Sequence, residues 1–239
     1  MRLQSLIVLL AAVAGALGTA RLGVWQLDRA AQKTALHEAM LARAALPPLD
    51  AQGLAHTSEA VAAQQHRRVV LEGRWVARHG IYLDNRPLNG QPGFLLVMPL
   101  QIGAGDMVLV QRGWLPRNAQ QREQLAPVAT PAGTVRVEGR VEPGFSRLYE
   151  FDAAASGAIR QNLDPAAFAR ETALPLRPLV VVQLDTPAAA PDGLLRQWQP
   201  AAPDVSKNQG YALQWFSLSA LITGLYVWFQ LIRPRRRRS

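Results

Sequence analysis

The four histidines are the first residues to consider for catalysis or metal binding, because the chain contains no cysteine. They are His37, His56, His66 and His79, and none stands in a spacing typical of a hydrolase, a zinc protease or a haem-attachment motif. The sequence also lacks the glycine-rich loops that bind phosphates and any carboxylate pair at a useful spacing. It therefore predicts neither a catalytic centre nor a metal site.

Polar and aromatic residues are concentrated beside two apolar segments. Gln26, Arg29 and Lys33 share one helical face, and Trp25 lies one turn from Arg29. The group beside the second segment consists of Asn208, Tyr211, Gln214 and Trp215. Together these side chains could form a pocket for an amphiphilic ligand that carries carboxylates. The alternative is that they only anchor two helices at a membrane surface, as aromatic belts and snorkelling cations do.

Both apolar segments are long enough to cross a membrane. Residues 3–20 form an uncharged run flanked by Arg2 and Arg21, and residues 211–232 form a longer one with aromatic residues at both ends. The first run has an alternative reading as a cleaved signal peptide, since residues 18–20 are small. Signal-peptide cores are usually about 7–15 residues long, which favours a permanent anchor.

The positive charge of the chain is concentrated at its C-terminus. The formal charge is +9, and five of the 26 basic residues are arginines within the last seven positions. Basic residues beside a span mark the cytoplasmic side, so we expect both termini in the cytoplasm and residues 21–210 outside the inner membrane, in the bacterial periplasm. A nucleic-acid-binding domain would spread basic residues over a folded face, and we expect no nucleic-acid partner.

The region between the spans predicts a short helical part followed by a β domain. The first helix should continue past the membrane to residue 46 and end at Pro47 and Pro48. Seven β-rich runs follow, at residues 67–76, 80–87, 93–102, 107–116, 134–142, 158–164 and 179–185. One helix interrupts them, capped by Asp164 and begun by Pro165. The predicted fold class is an α+β membrane protein in which two transmembrane helices form a hairpin and flank a mainly antiparallel, barrel-like domain.

Six stretches of the chain carry a resemblance to a known family. They are LGVWQLDRAAQK (22–33), RRVVLEGRW (67–75), YLDNRPLNGQPGFLLVMPL (82–100), VLVQRGWLP (108–116), the V-x-G-x-V-x-P-G element (137–144) and KNQGYALQWFSLSA (207–220). In this order, between two apolar segments, they resemble the Surfeit locus protein 1 family of cytochrome c oxidase assembly factors.

The resemblance implies a membrane-bound assembly factor without catalytic turnover. Its partners would be the lipid bilayer, subunit I of cytochrome c oxidase and other oxidase biogenesis factors, and it would assist haem a insertion into the catalytic subunit or stabilisation of that subunit. The chain would then divide into a transmembrane and juxtamembrane helix (1–46), an extracytoplasmic β domain (47–206), a second transmembrane helix (207–232) and a basic cytoplasmic tail (233–239). The competing hypothesis is a membrane-anchored periplasmic binding or scaffold protein that handles no haem.

One position departs from the family pattern. The family commonly has a histidine, its proposed axial haem ligand, three residues before Tyr211, and this chain has Asn208 there. Haem iron is usually held by His, Met, Cys or Tyr. Three alternatives follow: haem a is held without that ligand, another group such as Tyr211 supplies it, or the chain acts through protein contacts alone. The hypothetical haem or partner site comprises Trp25, Arg29, Lys33, Asn208, Tyr211, Gln214 and Trp215, with Arg29 and Lys33 meeting propionates.

The family resemblance also marks residues of the β domain. These are Asp84, Asn85, Arg86, Arg112, Gly113 and Trp114. They are candidates for partner contact, and the alternative is that they serve only the turns and core of the sheet.

Overall fold

The computed structural model describes residues 3–118, 120–121, 123–148, 157–186, 191–198 and 204–233. The chain divides into two compact units, one made of Met1–Ala39 with Pro200–Ser239 and one made of Met40–Gln199. The helices are α1 (Leu3–Ala45), α2 (Ser58–Gln64), α3 (Pro165–Thr172) and α4 (Ser206–Tyr226), which continues as a π-helical segment, Val227–Ile232. The strands are β1 (Arg68–Trp75), β2 (Ile81–Leu83), β3 (Gly93–Gly103), β4 (Asp106–Pro116), β5 (Val135–Glu142), β6 (Ile159–Arg160) and β7 (Leu176–Gln183).

Helices α1 and α4, the latter with its π-helical extension, are both long and apolar enough to span a membrane. Helix α1 has 43 residues, about 65 Å at 1.5 Å per residue, which is roughly twice the hydrocarbon thickness. The prediction that the first helix extends well beyond its apolar run is confirmed, and it ends just before Pro47. Of the basic tail, Arg233 is described, and residues 235–238 lie outside the described residues.

Within the helical unit, α1 and α4 pack through small and polar residues. Their less exposed positions recur at alternating spacings of three and four, at Leu9, Ala12, Ala16, Thr19, Gly23, Gln26 and Ala30 on α1 and at Asn208, Ala212, Trp215, Ser219, Ile222 and Tyr226 on α4. A Cβ at Gly23 would lie 2.8 Å from the Phe216 ring, and the Ser219 hydroxyl donates to the Ala16 carbonyl at 2.8 Å. Small residues thus let the two helices approach closely, as is common between membrane helices.

The β domain is a closed five-stranded barrel. Its strands pair in the order β1-β5-β7-β4-β3, and β3 returns to β1 through Arg74 opposite Gln101 and Trp75 opposite Leu100. Four of these five pairings are antiparallel, and β4 with β7 is parallel. Strands β2 and β6 extend the sheet outward from β3. The predicted mainly antiparallel, barrel-like domain is confirmed.

Alternating side chains divide the barrel into an interior and an outer face. The interior contains Val69, Leu71, Leu100, Val108, Val110, Val137, Leu179 and Val181, all at most 1 % exposed, and Leu54 and Val61 pack against them at one end. The outward-facing Val97, Leu109 and Val180 are covered by β2 and by Phe168 of α3. Helix α3 begins as predicted, because the Asp164 carboxylate accepts from the Ala167 N–H at 2.8 Å.

Two strands are shorter than their sequence runs predict. Strand β2 stops at Leu83, since Asn85 has a positive φ of 57° that turns the chain. Strand β6 stops at Arg160. Just beyond it, the Asn162 side chain forms two hydrogen bonds with the backbone of Leu148, at 2.7 and 2.8 Å, in place of strand pairing. Both segments therefore act mainly as shaped loops around the barrel.

Candidate functional site

Asn208 joins the two long helices through its side-chain amide. Its Oδ1 accepts from Lys33 Nζ at 2.7 Å, and its Nδ2 donates to Gln26 Oε1 at 2.6 Å. The structure thus brings three of the residues on the predicted polar faces into one hydrogen-bonded cluster. We expected Lys33 to bind a ligand carboxylate, but its ammonium group donates a hydrogen bond to Asn208.

Of the other predicted residues of the helical unit, four are exposed and Trp215 is half-buried. The Arg29 guanidinium lies 5.6 Å from the centre of the Trp25 ring, one helical turn away. Trp25 is 48 % exposed and Tyr211 53 % exposed, and Gln214 is exposed as well. These groups present a cation and aromatic rings on the helix surface. Their binding role stays a prediction.

Arg112 occupies one end of the barrel interior. It is 2 % exposed, and its guanidinium lies 4.5 Å from the centre of the Trp75 ring. It donates to Thr130 Oγ1 at 2.8 Å and to the Ala129 carbonyl at 3.0 Å, and it forms a salt bridge with Asp192 at 3.2 Å. Burial lowers the pKa of Arg112, and the Asp192 carboxylate opposes that shift. The arginine therefore closes the barrel end and ties two loops to it.

Arg86 and Trp114 are held together on the outside of the barrel. The Trp114 indole N–H donates to the Arg86 carbonyl at 2.6 Å. The Arg86 side chain is 7 % exposed and donates to Ser146 Oγ and the Gln161 carbonyl, both at 3.0 Å. Burial lowers the pKa of Arg86. Asn85, Arg86 and Trp114 line a common cleft of about 420 Å³.

Asp84 and Gly113 support this region structurally. Asp84 is buried, lies 3.7 Å from Arg117 in a salt bridge, and donates its backbone N–H to the Arg160 carbonyl at 2.7 Å. A Cβ on Gly113 would overlap the Leu194 side chain, which packs directly on the strand. Gly113 therefore allows Leu194 to pack closely against the second half of β4.

Comparison with known proteins decides the family. The sequence model of the SURF1 family matches residues 13–220, which is most of the chain. The chain belongs to the SURF1 family. It is 28 % identical over 107 residues to the cytochrome oxidase assembly protein SHY1 of Saccharomyces cerevisiae, a match that covers 44 % of this chain and about a quarter (26 %) of the yeast protein. It is 26 % identical over 232 residues to a SURF1-like protein of Drosophila melanogaster, covering 90 % of this chain and 74 % of the fly protein.

The geometry at Asn208 does not fit an axial haem ligand in this SURF1-family chain. A carboxamide is not among the usual ligands of haem iron, and both polar atoms of this one are already engaged by Lys33 and Gln26. Among the described residues, no group of three or more His, Asp or Glu side chains could hold a metal ion. His66 lies 3.0 Å from Glu142, and His79 accepts from Arg78 at 3.1 Å. The accessible groups of the helical unit suit contact with carboxylates and apolar surfaces better than iron ligation.

Sequence reasoning missed several residues that organise the barrel of this family member. Arg177 donates to both carboxylate oxygens of Asp106 and, at 2.6 Å, to the Leu54 carbonyl, which closes the barrel end opposite Arg112. Asp192 forms salt bridges with both Arg196 and Arg112. No motif signals these partners, because 71 residues separate Arg177 from Asp106 and 80 separate Arg112 from Asp192.

Proposed function

We propose that this chain is an assembly factor for cytochrome c oxidase and has no catalytic turnover of its own. The observation that carries the proposal is the family match over residues 13–220, together with the similarity to a yeast protein named for cytochrome oxidase assembly. A closed barrel whose sequence lies between two span-length helices is consistent with a membrane-anchored chaperone. The proposed location is the bacterial inner membrane, with both termini in the cytoplasm and the barrel in the periplasm.

We further propose subunit I of the oxidase as the partner, with other biogenesis factors beside it, and haem a as the cargo of the assembly step. The chain would contact haem a through the ring of Trp25 and the guanidinium of Arg29 on α1, and through Tyr211 and Trp215 on α4. Arg29 would hold a propionate by a charge-assisted hydrogen bond. Asn208, with Gln26 and Lys33, would hold the two helices in register rather than bind iron.

Deletion of the gene tests the assembly role. We expect the deletion strain to lose oxidase activity and haem a content, and a plasmid copy of the full chain to restore both. Subunit I and haem a should also co-purify with the chain. Normal oxidase activity and haem a content after deletion would contradict the proposal and favour the alternative of a membrane-anchored binding or scaffold protein.

A substitution at Asn208 distinguishes a role in helix pairing from a role in iron ligation. We expect Asn208→Ala to weaken association of α1 with α4, by about 0.6–2 kcal/mol for interhelical hydrogen bonds of this kind, and to lower complementation. Gln209→Ala, at the exposed neighbouring position, is the matched control and should complement fully. If Asn208 instead ligated the haem iron, Asn208→Ala would leave helix association unchanged, and the purified variant would lose haem a.

A further inference from the structure

A concave cleft on the outer face of the barrel has the features of a ligand site. Its floor is formed by outward-facing Leu95, Gln111, Arg140 and Val182, which lie on four different strands. Loop residues form its walls, among them Asn85–Leu88, Ser146, Leu148, Leu195, Gln197 and Trp198. We call this cavity the outer cleft. Its volume of about 420 Å³ lies within the range of small-molecule sites.

The charge of the outer cleft is positive. Arg86 and Arg140 line it, and no carboxylate is found among the described residues that do. Arg140 donates Nε to Glu142 at 3.0 Å, so its charge is partly compensated. Glu142 also contacts His66 at 3.0 Å. Among the described residues of the chain, Arg86 is therefore the cation of the cleft that has no carboxylate partner.

Arg86 is a buried cation whose described partners are neutral. Its terminal nitrogens donate to Ser146 Oγ, the Gln161 carbonyl and the Asn162 side chain, and its Nε has no hydrogen-bond partner among the described residues. Burying a charge is unfavourable unless an opposite charge or a full set of hydrogen bonds offsets it. An anion bound in the outer cleft would supply the opposite charge.

The apolar part of the outer cleft is held rigid. The Trp114 indole N–H donates to the Arg86 carbonyl and the Trp198 indole N–H to the Gln183 carbonyl, so both rings are fixed by the backbone. Trp114 also exchanges two backbone hydrogen bonds with Leu195, each of 2.8 Å. A pocket that is already formed binds with little ordering cost.

We propose that the outer cleft binds an anionic amphiphile, with its carboxylate or phosphate on Arg86 and its apolar body against Trp114, Trp198 and Leu195. Carboxylate and phosphate oxygens both suit a guanidinium, so the ligand is a fatty-acid-like carboxylate or a lipid-like phosphate. The outer cleft shares no residue with the proposed haem contacts, and the proposal does not depend on the role in oxidase assembly.

Equilibrium dialysis of the full-length protein in nanodiscs tests this proposal, with empty nanodiscs as the baseline. The probes are decanoate, decyl phosphate and decanol. We expect saturable binding of an anionic probe, at one molecule per chain, and about tenfold or weaker affinity for decanol, since a hydrogen bond to a charged group is worth about 1.5–3 kcal/mol. The tighter of the two anions identifies the ligand source. Equal binding of decanol and both anions overturns the proposal.

Two variants locate the bound molecule. Arg86→Gln should weaken anion binding about tenfold or more, whereas Arg136→Gln, at an exposed arginine outside the outer cleft, should leave it unchanged. Leu195→Trp, at a position 42 % exposed, should fill the cleft and reduce binding of every probe without removing a charge. If Arg86→Gln does not fold, Leu195→Trp still tests whether the probes bind in the outer cleft. Wild-type affinity in a folded Arg86→Gln or in Leu195→Trp would overturn the assignment.

Discussion

The buried arginine pair at one end of the barrel allows us to predict how much stability each of three variants loses. Arg112 and Arg196 are 2 % and 4 % exposed in their side chains and share the carboxylate of Asp192, which is 11 % exposed. Asp192→Asn removes the anion and leaves two buried cations facing an amide. Arg112→Met removes one cation and leaves a neutral ion pair of Asp192 with Arg196. We therefore expect Asp192→Asn to destabilise the protein more than Arg112→Met does.

The magnitudes follow from the contacts. Removing one partner of a buried ion pair costs about 3–5 kcal/mol, which we expect for Asp192→Asn. Arg112→Met loses hydrogen bonds to Thr130 and Ala129 and the ring contact with Trp75, but it relieves repulsion from Arg196, so we expect about 1–3 kcal/mol. The double variant should lose about 0.5–3 kcal/mol less stability than the sum of the two single variants. The reason is that Asp192→Asn leaves two cations that repel each other, and Arg112→Met removes one of them.

Thermal unfolding of the full-length protein in detergent, followed by circular dichroism, measures all three variants. Asp192→Asn should lower Tm by on the order of 10 °C for a chain of this size. Arg147→Met is the control, since it breaks an exposed ion pair with Asp164 and should change stability by less than about 1 kcal/mol. A larger effect of Arg112→Met than of Asp192→Asn, or strict additivity in the double variant, would refute the reasoning.

Two further predictions concern the barrel. Gly93→Ala should destabilise it by about 1–3 kcal/mol in chemical denaturation, since the new Cβ would overlap the Trp114 ring, whereas Gly103→Ala on the same strand makes only an ordinary 3.5 Å contact and should be near neutral. The hydrogen bonds from Arg177 hold the pKa of Asp106 below its usual range, so this carboxylate stabilises the fold above its unfolded pKa of about 3.9. That stability should be lost as the pH falls through the lowered folded pKa, and an acid titration of Asp106→Asn should show a shallower loss.

The elements of this protein could be predicted from the sequence because their signals are local. Long uncharged runs specify the two apolar helices, and Asp164 followed by Pro165 specifies the start of α3. Alternation of apolar and polar residues specifies most of the strands. The six family-like stretches also indicated the family that the comparison confirmed.

The ends of the short strands could not be predicted in the same way. Asn85 adopts a positive φ, and Asn162 pairs its side chain with the Leu148 backbone, yet both residues lie in β-rich runs. Their conformations depend on neighbours that are remote in sequence. Local propensity therefore predicted longer strands than the barrel contains.

For the candidate site, the sequence by itself determined which residues are available: the cations and rings beside the two helices, and the Asp84–Arg86 and Arg112–Trp114 segments of the barrel. Only the tertiary structure decided their partners. It joined Asn208 to Lys33 and Gln26, enclosed Arg112 inside the barrel and left Arg86 among neutral groups beside a cleft. The physical reason is that helix and strand periodicity depend on residues a few positions apart. Barrel closure and charge burial depend on contacts between segments tens of residues apart, whose pairing no local pattern encodes.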